Sequence, residues 1–364
     1  MTEQEALLVL NAIPNLGATR IRRLAAYFGS ALEALHASCD ELAQCNVISP
    51  ETAENIFHFS KDKFLQDEYN LMRRKAVVFI TDADDHYPCS LKVHEDSPVV
   101  LYVKGDMDCL EGASLALVGS RAASFYGCKS AHSFARAFVE AGMTVVSGLA
   151  RGIDTAAHQG CLDAGGKTIA VIGCGFNHVY PQENFQLMER ISRQGAVVSE
   201  FACAMPPLKQ NFPWRNRIIS ALSLATIVIE AGSKSGALIT ADFALAQNKD
   251  VFVVPSNIDT ETALGSNQLI QDGARVALNP DDVLSQVKED HVPLRADKQG
   301  ALLLLSDEQS LVYPHITCQP VHLDDLARRS GLEISSLMNI TLSMELKHVI
   351  RQLPGQYYVR NENA

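Results

Sequence analysis

The sequence contains no apolar run that approaches the roughly 20 residues that a membrane-spanning helix needs. Its N-terminal segment begins with acidic residues, and its short apolar stretch is interrupted by Asn11 and Pro14, which is unlike a secretory signal peptide. Nine cysteines are scattered without a C-x-x-C pair, and the odd count fits neither a disulfide framework nor a paired zinc site. These absences predict a cytoplasmic chain with reduced thiols, no metal site and no membrane association.

A net excess of positive charge is also missing, since the formal net charge is -11. The charge is unevenly distributed, however. Residues 112–220 contain ten Lys and Arg against six Asp and Glu, so the rest of the chain is strongly acidic. Because an acidic protein with one basic window can still bind a polyanion locally, the overall charge does not exclude nucleic-acid binding.

The chain has 364 residues, of which 47% are apolar, which is enough for two or three globular domains. Residues 1–68 show short helical periodicities around a Gly17-centred turn, a pattern that resembles a helix-hairpin-helix. Arg20, Arg22 and Arg23 follow this turn, and they are either DNA contacts or the solvated arginines of a plain helical bundle. The predicted division is a helical domain (1–68), an α/β domain (69–285), a polar linker (286–300) and a C-terminal domain (301–364).

The middle of the chain alternates continuous apolar runs with helical patterns of 10–15 residues. Continuous runs indicate strands that are buried on both faces, so the pattern predicts a Rossmann-like, doubly wound and mostly parallel sheet. Asp154 and Pro181 suit helix starts, at the N-cap and the first helical position respectively. The predicted strands are Val77–Thr81, Val99–Val103, Leu115–Gly119, Thr144–Ser147, Thr168–Gly173, Ala196–Ser199, Thr226–Glu230 and Val251–Pro255.

The C-terminal residues predict a winged helix, which is a three-helix unit with a helix-turn-helix core and a hairpin. Gly331 makes the turn between the second and third helices, and Pro354-Gly355 turns the hairpin. The predicted helices are Leu302–Val312, Leu323–Ser330 and Ile334–Leu346.

Ligands of an open parallel sheet bind outside the carboxyl ends of its strands, so the strand-to-helix loops are the places to search. Several of these loops combine glycine with a hydroxyl or a cation, which suits phosphate binding at a helix start. The loops are 118–127, 147–154, 173–178, 212–217 and 231–240.

The segment at 209–217 places two aromatic residues among three cations. Phe212 and Trp214 offer stacking surfaces for bases, while Lys209, Arg215 and Arg217 offer charge to phosphates. This mixture is typical of single-stranded nucleic-acid binding.

The loop at Gly173 begins like a dinucleotide-binding fingerprint but has His178 where the third glycine belongs. No acidic residue follows the next strand at the ribose-binding spacing. The sequence therefore argues against NAD, and no cofactor is predicted.

These motifs, in this order, resemble the DprA/Smf family over about residues 70–280. A winged helix at the C-terminus and a helical N-terminal part also resemble the family's layout. The matching runs are VGSRAASFYG (118–127), SGLARGIDTAAH (147–158), GGKTIAVIGCG (165–175), YPQEN (180–184), FPWRNRIIS (212–220), IEAGSKSGALITA (229–241) and VFVVPS (251–256).

The resemblance implies a dimeric protein of natural transformation and recombination without catalytic activity. Such proteins bind and protect incoming single-stranded DNA and load the recombinase RecA onto it, displacing single-strand-binding protein. Two positions depart from the family pattern: Gln182 where a basic residue is frequent, and Ser256 where glycine is usual. Carried over to this chain, the residues expected to line the DNA pocket are Gly119, Ser120, Arg121, Ser147, Gly148, Arg151, Lys209, Arg217, Ser235 and Gly236.

Two other functions remain open. A nucleoside-monophosphate phosphoribohydrolase of the LOG type would need a placed carboxylate, and Glu230 follows a predicted strand, but the Pro-Gly-Gly-x-Gly-Thr-x-x-Glu loop of those enzymes is absent. A winged-helix transcription regulator would need phosphate contacts, and the third predicted helix carries few cations.

Overall fold

The structure is a computed structural model, and it forms two compact units, Met1–Val283 and Leu284–Ala364. The predicted linker from residue 291 onward and residues 302–305 of the first predicted winged-helix helix lie outside the described residues, so the predicted domain limits stay predictions. No helix in the described part of the chain has the length and apolarity to cross a bilayer. The structure describes residues 1–290, 306–317, 320–346 and 349–360.

The chain begins with short helices, as the sequence predicts, and serine or threonine side chains cap several of them. Thr2 and Glu5 form a reciprocal capping box at the first helix, and Ser38 and Glu41 form another at the fourth. Each hydroxyl satisfies a backbone N–H that the first helical turn leaves without a partner. The helices are α1 (Glu3–Ala12), α2 (Ala18–Phe28), α3 (Ala31–His36), α4 (Cys39–Gln44), α5 (Pro50–His58) and α6 (Lys61–Lys75).

A nine-stranded sheet follows, in the order β1-β2-β6-β5-β4-β3-β7-β8-β9. The ladder from β6 to β9 is parallel, and β1 and β2 join it antiparallel at one edge, which confirms the predicted fold class. The strands are β1 (Val78–Thr81), β2 (Val100–Gly105), β3 (Ser114–Val118), β4 (Thr144–Ser147), β5 (Thr168–Val171), β6 (Ala196–Ser199), β7 (Ala225–Val228), β8 (Asp250–Val253) and β9 (Arg275–Val276).

Every residue of β3 to β7 is buried, which explains why these strands are continuous apolar runs in the sequence. The edge strand β9 escaped prediction because it has two residues, both exposed. Helices pack around the sheet: α7 (Cys89–Lys92), α8 (Phe125–Glu140), α9 (Ile153–Asp163), α10 (Phe185–Gln194), α11 (Asn211–Leu222), α12 (Gly236–Ala246), α13 (Leu264–Gln271) and α14 (Pro280–Asp290).

Three local predictions need correction. Gly152, at φ +73°, is the N-cap of α9, and Asp154 lies inside the first turn with its carboxylate turned back to the preceding loop. Pro181 is the N-cap of a short 3-10 helix, Gln182–Asn184, and not its first residue. The polar segment taken as a linker starts as α14, because Asn279 accepts a hydrogen bond from Asp282 N at the helix start.

The strand order reverses next to β3. From β3 the chain winds outward through β4, β5 and β6, and then returns to place β7 on the other side of β3. In sheets of this kind the crevice outside the carboxyl ends of the strands at the reversal is the usual ligand site. The fold therefore directs attention to the loops that follow β3 and β7.

The C-terminal unit has the winged-helix arrangement that the sequence predicts, in its described residues. Gly331 ends the second helix at φ +70°, as a left-handed residue at the predicted turn. Its elements are α15 (Asp307–Val312), β10 (Val321–His322), α16 (Leu323–Ser330), α17 (Ile334–Leu346), β11 (Ile350–Leu353) and β12 (Tyr357–Arg360), with β12 between β10 and β11.

A buried histidine makes the folded α/β unit sensitive to acid. The Thr168 hydroxyl donates to Val145 O, so His158 Nδ1 carries the proton in its 2.8 Å hydrogen bond to Thr168 Oγ1. Burial, with help from the nearby Arg215 charge, lowers the pKa of His158 from 6.5 to about 3. Below pH 6.5 the unfolded chain therefore binds a proton at this side chain that the folded chain does not.

We expect His158 to lower the free energy of unfolding as the pH falls from about 6.5 towards 3, by at most about 1.4 kcal/mol per pH unit. Urea unfolding of the wild type and of His158→Gln at several pH values in this window measures the effect. The variant should show a shallower pH dependence, and an identical slope in the two proteins would contradict the assignment.

Candidate functional site

A cavity of about 980 Å³ opens at the carboxyl ends of β3 and β7, where the strand order reverses. Loops from distant parts of the sequence form its wall, and no residue of α1 to α6 belongs to it. The lining consists of 118–122, Ala150, Asp154, Tyr180, Lys209, Phe212, Pro213, Arg215, Asn216, Ile219, 232–237, Thr240, Glu261, Thr262 and Leu264.

The loop after β3 is pressed against the end of β7. Ser120 N donates to Glu230 O over 2.6 Å. A Cβ at Gly119 would lie 2.4 Å from Ile153 Cγ1 and 2.8 Å from Glu230 O, so only glycine permits this approach. The loop consequently presents Ser120 and Arg121 to the cavity.

Two neighbouring side chains of α11 tie three loops together beneath the cavity. The Arg215 guanidinium donates to Gly148 O (2.8 Å), to Val171 O and to the Asn216 side-chain oxygen (3.1 Å). Asn216 in turn donates to Gly236 O over 3.1 Å, at the start of α12. These contacts join the loops that follow β4, β5 and β7.

Arg215 is almost fully buried, and burial lowers the pKa of its guanidinium to about 10. Asp154 beside it accepts hydrogen bonds from Gly148 N (3.1 Å) and Ala150 N (3.2 Å). Burial raises the pKa of Asp154, although the charge of Arg215 and these amide donors act in the opposite direction. The floor of the cavity thus combines a buried guanidinium with a buried carboxyl group, and the hydrogen bonds of both hold the loop after β4.

An aromatic and cationic stack lines one wall. The Tyr180 and Phe212 rings have centroids 5.1 Å apart, and the Arg121 guanidinium lies 5.6 Å from the centre of the Phe212 ring. Lys209 and Lys234 are exposed and line the same cavity. The wall therefore offers flat π surfaces and three cations to a ligand.

Two predicted site residues lie elsewhere because 211–222 is a helix and not a loop. Residues two apart on a helix point in different directions, so Arg217 faces away from the cavity that Arg215 lines. The Arg217 guanidinium is 2% exposed and binds both Glu200 carboxylate oxygens at 2.7 Å. The Trp214 ring covers the Arg217 guanidinium, whose central carbon is 4.3 Å from the centre of the ring. Neither side chain lines the cavity.

Three other predicted residues lie outside the cavity. The Ser147 hydroxyl is buried and donates to Leu117 O over 2.6 Å. Gly148 lies under Arg215, where a Cβ would be 2.6 Å from the guanidinium. Arg151 is half-exposed in a two-point ion pair with Glu183, which raises the pKa of Arg151.

The structure thus brings together at the cavity eight of the sequence-predicted residues, which are Gly119, Ser120, Arg121, Lys209, Phe212, Arg215, Ser235 and Gly236. The sequence interpretation missed Tyr180, Asn216 and Lys234. The signal was present for all three, since they lie inside the runs YPQEN, FPWRNRIIS and IEAGSKSGALITA.

Glu230, the carboxylate that an enzymatic interpretation requires, does not line the cavity. It is buried and accepts hydrogen bonds from Ser124 N (3.0 Å) and from the Ser124 hydroxyl, at the start of α8. A carboxylate at a helix N-terminus is stabilised there by the helix dipole. Within the described residues, no group of His, Cys, Asp and Glu is placed to hold a metal ion.

Both units of the chain match models of known protein families. The family model described as DNA recombination-mediator protein A matches residues 78–288, and the DprA winged helix domain model matches residues 296–356. The chain is 31% identical to Protein Smf of Synechocystis sp. over 99% of both chains. It is 44% identical to the DNA processing protein DprA of Streptococcus pneumoniae over 56% of this chain and 72% of that one.

Two DprA structures are among the solved structures that are similar to this chain. The X-ray structure of DprA from Streptococcus pneumoniae has a TM-score of 0.68 and 36% identity, and it covers 79% of this chain and 98% of its own. DprA from Helicobacter pylori, solved in a study of its single-stranded DNA binding mode, has a TM-score of 0.54 and 28% identity, with 59% and 96% covered.

The buried ion pair of Arg217 and Glu200 should contribute to the stability of the fold, which a phosphate contact on the surface would not do. Arg217→Ala leaves Glu200 buried without its partner, so the free energy of unfolding should fall by about 3–5 kcal/mol. Replacing both with apolar residues, in Arg217→Met/Glu200→Leu, should recover a large part of this loss.

Denaturant unfolding measures both variants, with Arg136→Ala as the control because Arg136 forms an exposed ion pair with Glu140. The assignment is wrong if Arg217→Ala is as stable as the Arg136→Ala control.

Proposed function

The chain belongs to the DprA/Smf family, and on that premise we propose that it binds single-stranded DNA, without reading base sequence, in the cavity at the carboxyl ends of β3 and β7. The observation that carries the proposal is the stack of Tyr180, Phe212 and Arg121 in that cavity. The similar Helicobacter pylori protein is described as binding single-stranded DNA.

The chemistry of the wall suits a single strand. Every base has a π face, so a stack of rings binds bases without distinguishing them, while cations bind the backbone phosphates. Arg121, Lys209 and Lys234 supply those cations. In a duplex the bases already stack on one another, so their faces are not available to the rings of this wall.

The predicted residues take different parts in the proposal. Gly119, Ser120, Ser235 and Gly236 let the DNA backbone approach, and Arg215 holds the floor. Ser147 and Gly148 support the site from below, whereas Arg217, covered by Trp214, binds Glu200 outside the cavity. Arg151 meets a phosphate only after exchanging its ion pair with Glu183 for that contact.

We extend the proposal to partners. The protein would protect DNA and load RecA onto it in competition with single-strand-binding protein, in the cytoplasm and as a homodimer. A homodimer would cover the apolar side chains at the β9 edge of the sheet, where Val276 within the strand and Leu278 after it are 42% and 73% exposed. The division of the chain into domains at residues 68, 285 and 300 belongs to the same proposal, with the start of the predicted linker forming the end of α14.

We also propose that binding is the whole activity. The engagement of Glu230 with Ser124 argues against the phosphoribohydrolase alternative. The regulator alternative is weakened because the exposed side of α17 carries Ile334, Met338 and Leu342, which are apolar and make no phosphate contacts.

The first prediction concerns substrate preference. At matched salt and without nucleotide, the protein should bind a single-stranded oligonucleotide more tightly than the blunt duplex of the same sequence. About three phosphate contacts predict a log–log salt slope of roughly -2 for the single strand. Fluorescence anisotropy measures both, and equal or tighter duplex binding would refute the proposal.

A second prediction assigns that slope to residues. Arg121→Ala, Lys209→Ala and Lys234→Ala should each reduce its magnitude by roughly 0.7, which is one contact's share. Arg190→Ala and Arg193→Ala are the matched controls, since both arginines belong to the basic window but neither lines the cavity. If the controls flatten the slope more than the cavity variants do, the cavity is not the binding site.

A third prediction separates binding from catalysis. The purified protein should release no free base from nucleoside monophosphates, as chromatography of the reaction mixture measures. Base release that Glu230→Gln abolishes would establish the enzymatic alternative instead.

A further inference from the structure

Two aromatic side chains outside the cavity are unusually open to solvent. Phe125 is 86% exposed and Tyr126 is 52% exposed, at the start of α8. Both lie within the run VGSRAASFYG, yet neither has a part in the function proposed above. Two adjacent rings this exposed, on the helix that follows a cavity loop, are a candidate interaction site.

The rings are held outward by what lies beneath them. The Glu230 carboxylate binds Ser124, the N-cap of α8. Gly127 packs onto that carboxylate so tightly that a Cβ would lie 2.3 Å from Glu230 Oε2. Because the inner side of the first turn is fixed in this way, Phe125 and Tyr126 face solvent.

Lys129 lies on the same helix as the two rings. Lys129 follows Phe125 by four residues and Tyr126 by three, so it shares their side of the helix. It is exposed and forms no ion pair with any described residue, whereas Arg136 further along α8 is paired with Glu140. Arg121, four residues before Phe125 in the loop that precedes α8, lines the cavity.

We propose that Phe125, Tyr126 and Lys129 form a second contact for single-stranded nucleic acid, on which a strand that leaves the cavity stacks its bases while a phosphate meets Lys129. The inference rests on the proposed function and deepens it. The exposed Lys129 beside the rings, and continuity along the chain with the cavity loop that carries Arg121, favour a nucleic acid over a protein surface as the occupant.

The test compares two oligonucleotide lengths. A strand of roughly 5 nucleotides occupies the cavity alone, and one of about 20 also reaches the rings. Phe125→Ala/Tyr126→Ala should bind the short strand as the wild type does and bind the long one roughly 5- to 100-fold more weakly. Lys129→Ala should reduce the salt slope for the long strand only, by roughly 0.7.

Tyr27→Ala/Phe57→Ala removes two similarly exposed rings from helices that do not line the cavity, and should change neither affinity. Phe125→Leu/Tyr126→Leu keeps apolar surface but removes the rings, so it too should lose long-strand affinity; circular dichroism checks that the variants are folded. Arg121→Ala should weaken both lengths.

The outcomes separate the two proposals. Unchanged long-strand affinity in the folded ring variants overturns the second contact alone, and points to a protein as the occupant of this surface. An equal loss at both lengths also overturns it, because the rings would then act within the cavity. A wild type that binds neither strand overturns the proposed function and this inference together.

Discussion

A buried arginine at the start of α11 sets the geometry of the site. Parallel strands end at one edge of a sheet, but nothing in the sheet itself fixes the loops that leave that edge. Arg215 binds the backbone after β4 and at the end of β5, and Asn216 binds the backbone at the start of α12. The charge of Arg215 is buried, so these hydrogen bonds and Asp154 must offset its desolvation. The positions of the loops that form the cavity wall therefore depend on the contacts of Arg215 and Asn216.

The cations of the basic window, residues 112–220, differ in whether they are paired. Within the basic window, most cations are engaged by carboxylates or buried: Arg136, Arg151, Lys167, Arg190, Arg215 and Arg217. Among the described residues, Arg121, Lys129, Arg193 and Lys209 have no ion-pair partner. Arg121 and Lys209 line the cavity, and Lys129 lies on the helix that follows the Arg121 loop. A net charge of -11 is therefore compatible with a local anion-binding surface.

The sequence predicted the strands well because burial on both faces leaves an unmistakable apolar run, and Thr144–Ser147 and Ala196–Ser199 were predicted to the residue. The sequence also indicated which loops form the cavity, because glycine is required where a loop packs closely against another backbone segment, as at Gly119. It misassigned Arg217, because the adjacent cations were taken as one loop surface, whereas helical periodicity sends Arg217 into the Glu200 pair. Tyr180 lies in the run YPQEN, but it was missed because its contact with Phe212, about 30 residues away, leaves no local pattern.

The central claim is that single-stranded DNA binds at the reversal of strand order, against the stack of Tyr180, Phe212 and Arg121. Hydrogen–deuterium exchange with and without an oligonucleotide tests it most directly, because it locates the contact without altering the protein. We expect slowed exchange in the loops at 119–124 and 232–237 and at the start of α11, with unchanged exchange in α1 to α5. Slowed exchange confined to α1 to α5 or to the winged helix, with the cavity loops unchanged, would contradict this account.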